Sequence, residues 1–256
     1  MASSAAGRPG RGNEDFVGAV PTAAVLVDGA GGVDGADLAC RHGTAWYAHR
    51  LGAELLALLA HPSHRTLPAL LAEAIERVTD AHRPTCDVAD PRSPWAAVAI
   101  LRASATTADY LVLGDAFVVL DRPGAARVVT DGRELAFARP YEVALEAAAE
   151  GSPEHERLLR EARDAMRANR NRPGAFWAAK DDPGAAAEAV TGTVAELTAA
   201  ALLSNGVTRL VDGPDVLALL ATDGPESIIR RVRQAEALQG VPADDASIAH
   251  CTDLTH

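Results

Sequence analysis

Short apolar runs cluster along this chain, and helical stretches fall in groups between them. Phe16 to Val20 and Ala23 to Val27 read as two strands of a hairpin, with Pro21-Thr22 as the turn. Asp28-Gly29-Ala30-Gly31-Gly32 stops the second strand. A helical stretch is expected from about Ala36 to Ala60, with Trp46, Tyr47, Leu51, Leu55 and Leu58 at helical spacing. A second runs from Leu67 to about Ala81, with Pro68 suited to a first turn. Four short strands follow: Trp95 to Arg102, Asp109 to Leu113, Ala116 to Leu120 and Arg127 to Val129. Helix returns from Pro140 to Asn169 and meets a polar break at Asn169 to Gly174. Thr198 to Leu203 reads as a buried strand ending at Ser204-Asn205-Gly206. Helices at about Gly213 to Ala221 and Glu226 to Leu238 precede a last strand, Ala246 to Cys251. Strands and helices grouped in this way, without βαβ alternation, predict a mixed α+β fold with antiparallel sheets.

The 256 residues suffice for one well-cored domain. Hydrophobic residues make up 48% and charged residues 23%, which argues against a mainly disordered chain. The formal net charge of −11 argues against a nucleic-acid or anionic-membrane binder and suits a site that concentrates cations. No run of about 18 apolar residues offers a membrane span. Met1 to Gly12 lacks the pattern of a secretory signal and reads as a short flexible leader. Three widely spaced cysteines, Cys40, Cys86 and Cys251, do not form a disulfide framework, and free thiols point to a reducing cytoplasm.

Acidic residues recur where strands begin or end. Glu14-Asp15 precede the first strand, Asp28 follows the second, Asp115 follows a third, and Asp244-Asp245 precede the last. Carboxylates at strand ends can converge where a sheet opens to solvent. A turn centred on Pro21 places Glu14 opposite Asp28 across the ladder, and cross-strand partners lie roughly 4.5–5.5 Å apart. Like charges that close are costly unless protonated or bridged by a cation. Oxygen ligands of this kind favour Mg²⁺ or Mn²⁺ over zinc, and the glycines after Asp28 allow close backbone approach and offer a carbonyl ligand. Against this stands the general richness of turns in Asp and Gly, which explains any one of these acids better than it explains the whole set.

Taken in order, Asn13-Glu14-Asp15, Val27-Asp28-Gly29-Ala30-Gly31-Gly32, Leu113-Gly114-Asp115, Leu203-Ser204-Asn205-Gly206 and Asp244-Asp245-Ala246-Ser247 resemble the motifs of one family. It is that of the metal-dependent PPM-class protein phosphatases, the type 2C serine/threonine phosphatases, in the compact form found in actinomycetes. The resemblance implies a four-layer αββα sandwich: two antiparallel sheets face to face, each covered by a helix pair. Residues 13–256 would form one phosphatase-like domain, with 140–176 a flap-like helical insertion beside the cleft. It also implies two Mn²⁺ or Mg²⁺ ions, with a third in bacterial members. Asp28 would bridge both metals and Gly29 would lend its carbonyl. Asp244 would bind the first metal, Glu14 the second, and Asp115 the third, while Asp15 would orient a water. A metal-held hydroxide would then attack phosphorus in line. The implied partner is a phosphorylated protein or phosphorylated small molecule, and the chain would act as a monomer.

Three departures from the family pattern bear on function. Asn205 stands where the family carries a metal-binding Asp, keeping an oxygen ligand but losing the charge. The chain could be a degenerate phosphatase serving as a binding module, a protein carrying an engineered inactivating change, or an enzyme working with the weaker ligand. The family's phosphate-binding Arg position is held by Gly10, flanked by Arg8 and Arg11, either of which could reach a phosphate. Ala30 replaces a His that some members use as general acid; together with the shifted Arg it permits a small-metabolite substrate.

Cys40-Arg41-His42 with Cys86 supplies soft ligands at irregular spacing. That spacing is no zinc signature, so the cysteines are expected as small core residues and His42 as a hydrogen-bonded helix residue. Trp46, Trp95 and Trp177 are expected to fill the core or contacts around it.

Overall fold

The computed structural model describes residues 1–7, 10–31, 38–208 and 213–254, with 213–215 in backbone only. It is the expected α+β sandwich of two antiparallel five-stranded sheets with helices outside. One sheet orders its strands β2 (Asp15–Val20), β3 (Ala23–Ala30), β4 (Trp95–Ala103), β5 (Thr107–Leu113) and β8 (Val190–Ala195), with β2 and β8 at the edges. The other runs β1 (Ala2–Ala5), β10 (Ala246–Thr252), β9 (Ala199–Leu203), β6 (Phe117–Arg122) and β7 (Ala125–Thr130).

The central strands read as near-continuous apolar runs because both of their faces are buried. In β3, Val25 and Val27 face helices while Ala24 and Leu26 face the opposite sheet. β4 divides likewise, Val98 and Ile100 outward and Ala97, Ala99 and Leu101 inward. Helices α1 (Thr44–Leu59) and α2 (Leu67–His82) cover this sheet, with Leu51, Leu55, Leu71 and Ile75 fully buried beneath them. Helix α6 (Gly213–Gln239) covers the other through Val216, Leu220, Ile228 and Val232. Gly224, at φ 73°, and Pro225 kink α6 into the two expected segments. The inner faces carry many alanines, among them Ala24, Ala97, Ala99, Ala200 and Ala249.

Several expectations are corrected. Residues 2–5 of the expected flexible leader form edge strand β1, with Ala2 opposite Ala249. Its register bonds to β10 carry no hydrophobic pattern that the sequence could signal. Helix α1 starts at Thr44, because Gly43 at φ 87° breaks the chain just before it; residues 38–43 are not helical, and the expected start at Ala36 lies outside the described residues. Pro140 lies inside α3 (Arg133–Ala147) instead of starting a helix. Helix α4 (Pro153–Asn169) follows, capped by the Ser152 side chain, and neither α3 nor α4 has a buried residue. The sequence does not signal β8 because Val190–Ala195 is short, interrupted by Thr191, Gly192 and Thr193, and half exposed, with Gly192 lying where a Cβ would strike the Tyr110 ring. Among the described residues, no helix is long and apolar enough to cross a membrane.

The hairpin register also differs from expectation. Val20 pairs with Ala23 across a two-residue turn, so Asp15, not Glu14, faces Asp28. The turn therefore centres between Pro21 and Thr22. A one-residue slip exchanges the faces of every side chain, so it decides which acid joins the cleft.

Candidate functional site

The acids meet at one end of the sandwich, where β2 starts, β3 ends, and the loops before α5 (Asn205–Thr208) and β10 arrive from the other sheet. Asp15 and Asp28 are register partners on adjacent strands. Asn205 joins the sheets: its backbone N–H donates to Asp28 Oδ2 at 3.2 Å, and its side-chain Nδ2 donates to Asp115 Oδ2 at 2.7 Å. Asp245 uses both oxygens to hold the entering chain, accepting from Gly7 N at 2.7 Å and Glu14 N at 2.6 Å. The Asp244 backbone N–H is held by Glu236 Oε1 at 3.2 Å, and Glu236 is itself clasped by Arg233.

Glycines make this convergence possible. A Cβ on Gly29 would lie 2.4 Å from the Glu14 carbonyl oxygen, and one on Gly206 would lie 2.0 Å from the Asp245 carbonyl oxygen. Gly7 is pressed equally close to the Asp244 backbone. Main chain from three separate segments is therefore packed around the acids.

Burial dominates the electrostatics of the cluster. Asp15 is 3% exposed, and neither of its carboxylate oxygens has a hydrogen-bond partner. Burial pushes its pKa up to about 6, with Asp245 adding to the rise and the nearby Ser247 and Ser204 hydroxyls opposing it. The hydroxyls are close enough to act on the charge without completing a hydrogen bond to it. Asp28 is held well above the usual carboxylate range, first by burial and then by Asp15, Asp115 and Asp244, while the Asn205 N–H pulls the other way. Desolvated carboxylates this close favour a proton or a cation.

Asp15, Asp28, Asp115, Asp244 and Asn205 thus gather at this end of the sandwich, beside Gly29. Glu14 reaches it differently from expectation. Its carbonyl accepts the Gly29 N–H at 3.2 Å, while its carboxylate is held bidentately by Arg11 at 3.0 and 2.9 Å. Arg11 therefore sits at the rim on Glu14, and Arg8 lies outside the described residues. Sequence reasoning missed Glu134, in the first turn of α3. Its Oε2 is buried without a partner, and burial followed by the Asp115 charge raises its carboxyl well above the usual range. Only its place in a helix beside the cleft brings it near Asp115, and no spacing signal announces that.

The donor set fits hard divalent cations. Oxygen atoms supply every ligand candidate, two of them are buried without partners on Asp15, and Gly29 lets main chain approach closely beside Asp28.

No protein-family model matches the sequence, and no curated protein matches it significantly. Solved structures do resemble it. The Mycobacterium tuberculosis serine/threonine phosphatase PstP/Ppp superposes with a TM-score of 0.64 at 17% identity, over 100% of this chain and 98% of that one. The Staphylococcus aureus serine/threonine phosphatase Stp1 gives 0.62 at 13% identity, over 98% and 93%. The PstP catalytic domain in complex with two manganese ions gives 0.62 at 17%, over 98% and 96%. The chain therefore has the fold of bacterial type 2C-like serine/threonine phosphatases across nearly its full length.

Proposed function

We propose that this chain is a metal-dependent phosphatase that hydrolyses phosphoserine or phosphothreonine monoesters on a partner protein. The pairing of Asp15 with Asp28, desolvated and mutually repelling at the junction of two sheets, carries the reading. Asp28, Asp244, Glu14, the Gly29 carbonyl, Asp115 and Asn205 would hold Mn²⁺ or Mg²⁺. Bound dications would supply Lewis acidity toward the phosphoryl oxygens and a lowered pKa for water. Asp15 would accept a hydrogen bond from the attacking water through its unpartnered oxygens and fix its direction. Arg11, and Arg8 as the second candidate, would supply a guanidinium to the phosphate. The helical pair α3–α4, with no buried residue of its own, would act as a flap that screens substrates.

The test is turnover of an aryl phosphate and of phosphoserine and phosphothreonine peptides, with manganese and with EDTA. Manganese-dependent release of phosphate from the peptides is expected. No turnover by the wild type or by Asn205→Asp would overturn the reading.

A second reading has its own observation. The Asn205 amide already ties Asp115 by a 2.7 Å hydrogen bond where a carboxylate would require a cation. A degenerate phosphatase that binds a phosphorylated partner without hydrolysis would keep that bond. Calorimetry distinguishes the two readings: the degenerate protein retains phosphopeptide affinity and shows no manganese heat.

A further inference from the structure

Away from the acidic cleft, Cys40, His42, His82 and Cys86 bring one ligand atom each within 4.8 Å of all the others. We propose that this is a structural zinc site of the Cys₂His₂ type, built on the fold independently of the phosphatase reading.

The geometry carries the proposal. Tetrahedral zinc holds sulfur at about 2.3 Å and nitrogen at about 2.0–2.1 Å, so its ligands lie about 3.8 Å apart for a sulfur pair and about 3.5 Å apart for sulfur and nitrogen. Here Cys40 Sγ and Cys86 Sγ are 3.8 Å apart. Cys86 Sγ lies 3.6 Å from His42 Nδ1, and Cys40 Sγ lies 3.9 Å from His42 Nδ1 and 3.0 Å from His82 Nε2. All three cysteines are free thiols. Two thiols and two imidazoles gathered within 4.8 Å of one another select zinc over magnesium or manganese.

The surroundings are those of a held ligand set. The other nitrogen of His42, Nε2, faces Thr85 Oγ1 at 3.4 Å, and that hydroxyl donates to the His82 carbonyl at 2.9 Å. The His42 backbone N–H points at Cys40 Sγ at 3.3 Å. Trp46 stacks on His42 with ring centroids 4.5 Å apart and lies 5.2 Å from His82, which shields one side. Such outer partners fix ring orientation and tautomer in metal sites. Four protein ligands leave no open position, so the site is structural and not catalytic. The linear signal is weak because it is split into Cys-x-His before α1 and His-x₃-Cys at the end of α2. The expectation of core cysteines and a helical His42 is corrected accordingly: both cysteines are half-buried, and His42 lies outside α1.

The ion would tie the segment entering α1 to the end of α2. Thr44 and Ala48, in the first turns of α1, are the side chains against which Gly29 packs. Zinc would therefore brace the wall of the acidic cleft from behind. Binding displaces the thiol protons, so affinity should rise with pH.

The experiment uses the full chain, reduced and freed of metal, titrated with Co²⁺ and then Zn²⁺. One equivalent of Co²⁺ should give a thiolate-to-cobalt charge-transfer band, which an all-oxygen cleft cannot produce. Zn²⁺ should bleach that band and excess Mg²⁺ should not. Cys40→Ser and Cys86→Ser should each weaken it, the double variant should abolish it, and Cys251→Ser should leave it. Alkylation mapped by mass spectrometry covers the case in which those variants fail to fold: Zn²⁺ should protect Cys40 and Cys86 of the wild type and leave Cys251 unprotected. No band in the reduced wild type, a band surviving loss of both cysteines, or equal alkylation with and without Zn²⁺ would overturn the proposal.

Discussion

Replacing Asp15 with Asn removes a buried charge while keeping the shape of the side chain. In the metal-free protein the Asp15 carboxyl has moved from 3.8 to about 6. At about 1.36 kcal/mol per pH unit this corresponds to roughly 3 kcal/mol that the ionised form costs the native state. A carboxyl raised in this way favours folding below its unfolded pKa, and the advantage disappears as pH rises through 6. Asp15→Asn should therefore match the wild type near pH 4 in EDTA. It should become more stable between pH 4 and 6 and hold an advantage of up to about 3 kcal/mol at pH 7.5. For a chain of this size that is about 6–12 °C in melting temperature. Manganese should reverse the order. An ion present at 1,000 times its dissociation constant stabilises the native state by about 4.1 kcal/mol, more than the charge costs, and only the wild type keeps the full charge that attracts it. Thermal unfolding followed by circular dichroism, across pH and with EDTA or Mn²⁺, reads both effects. The reasoning fails if Asp15→Asn melts lower than wild type at pH 7.5 in EDTA, or if Mn²⁺ stabilises both proteins equally.

Other perturbations give distinct signatures. Asn205→Asp removes the hydrogen bond donated to Asp115 and adds a like charge, so it should cost about 2 kcal/mol or more in EDTA and strengthen manganese binding in calorimetry. Gly206→Ala places a methyl against the Asp245 carbonyl oxygen, 2.0 Å from the ideal Cβ; a loss of about 1–3 kcal/mol in urea unfolding, together with loss of the manganese-induced shift, is expected. Glu134→Gln removes a carboxyl that burial and Asp115 hold above its ordinary pKa. It should raise the melting temperature in EDTA at pH 7.5, with the gain fading toward pH 4. An unchanged melting temperature at pH 7.5 would show that Glu134 does not feel the cleft.

The layered fold was legible because its strands are apolar on both faces and its helices on one. Leu51, Leu55, Leu71 and Ile75 announce helices over a sheet, and Val98 to Leu101 announces a strand with two buried faces. What escaped was decided by geometry that leaves no pattern. Whether Glu14 or Asp15 faced Asp28 turned on half a residue in the centre of one turn. β8 is a polar edge strand that owes its place to Tyr110 of the neighbouring strand. The acids of the cleft were visible one by one at strand ends, and their meeting depended on Asp245 and Asn205 drawing two sheets together. Glu134 and His82 were invisible for a related reason: each lies on a helix whose partner residues come from remote segments.

An anomalous-difference map from a crystal soaked in MnCl₂ tests the shared cleft most directly. It should show at least one manganese peak within coordination distance of Asp28 and Asp244, with Asp15 one water away. A well-ordered cleft with no peak at Asp28 would contradict the claim that these carboxylates are assembled to hold divalent ions.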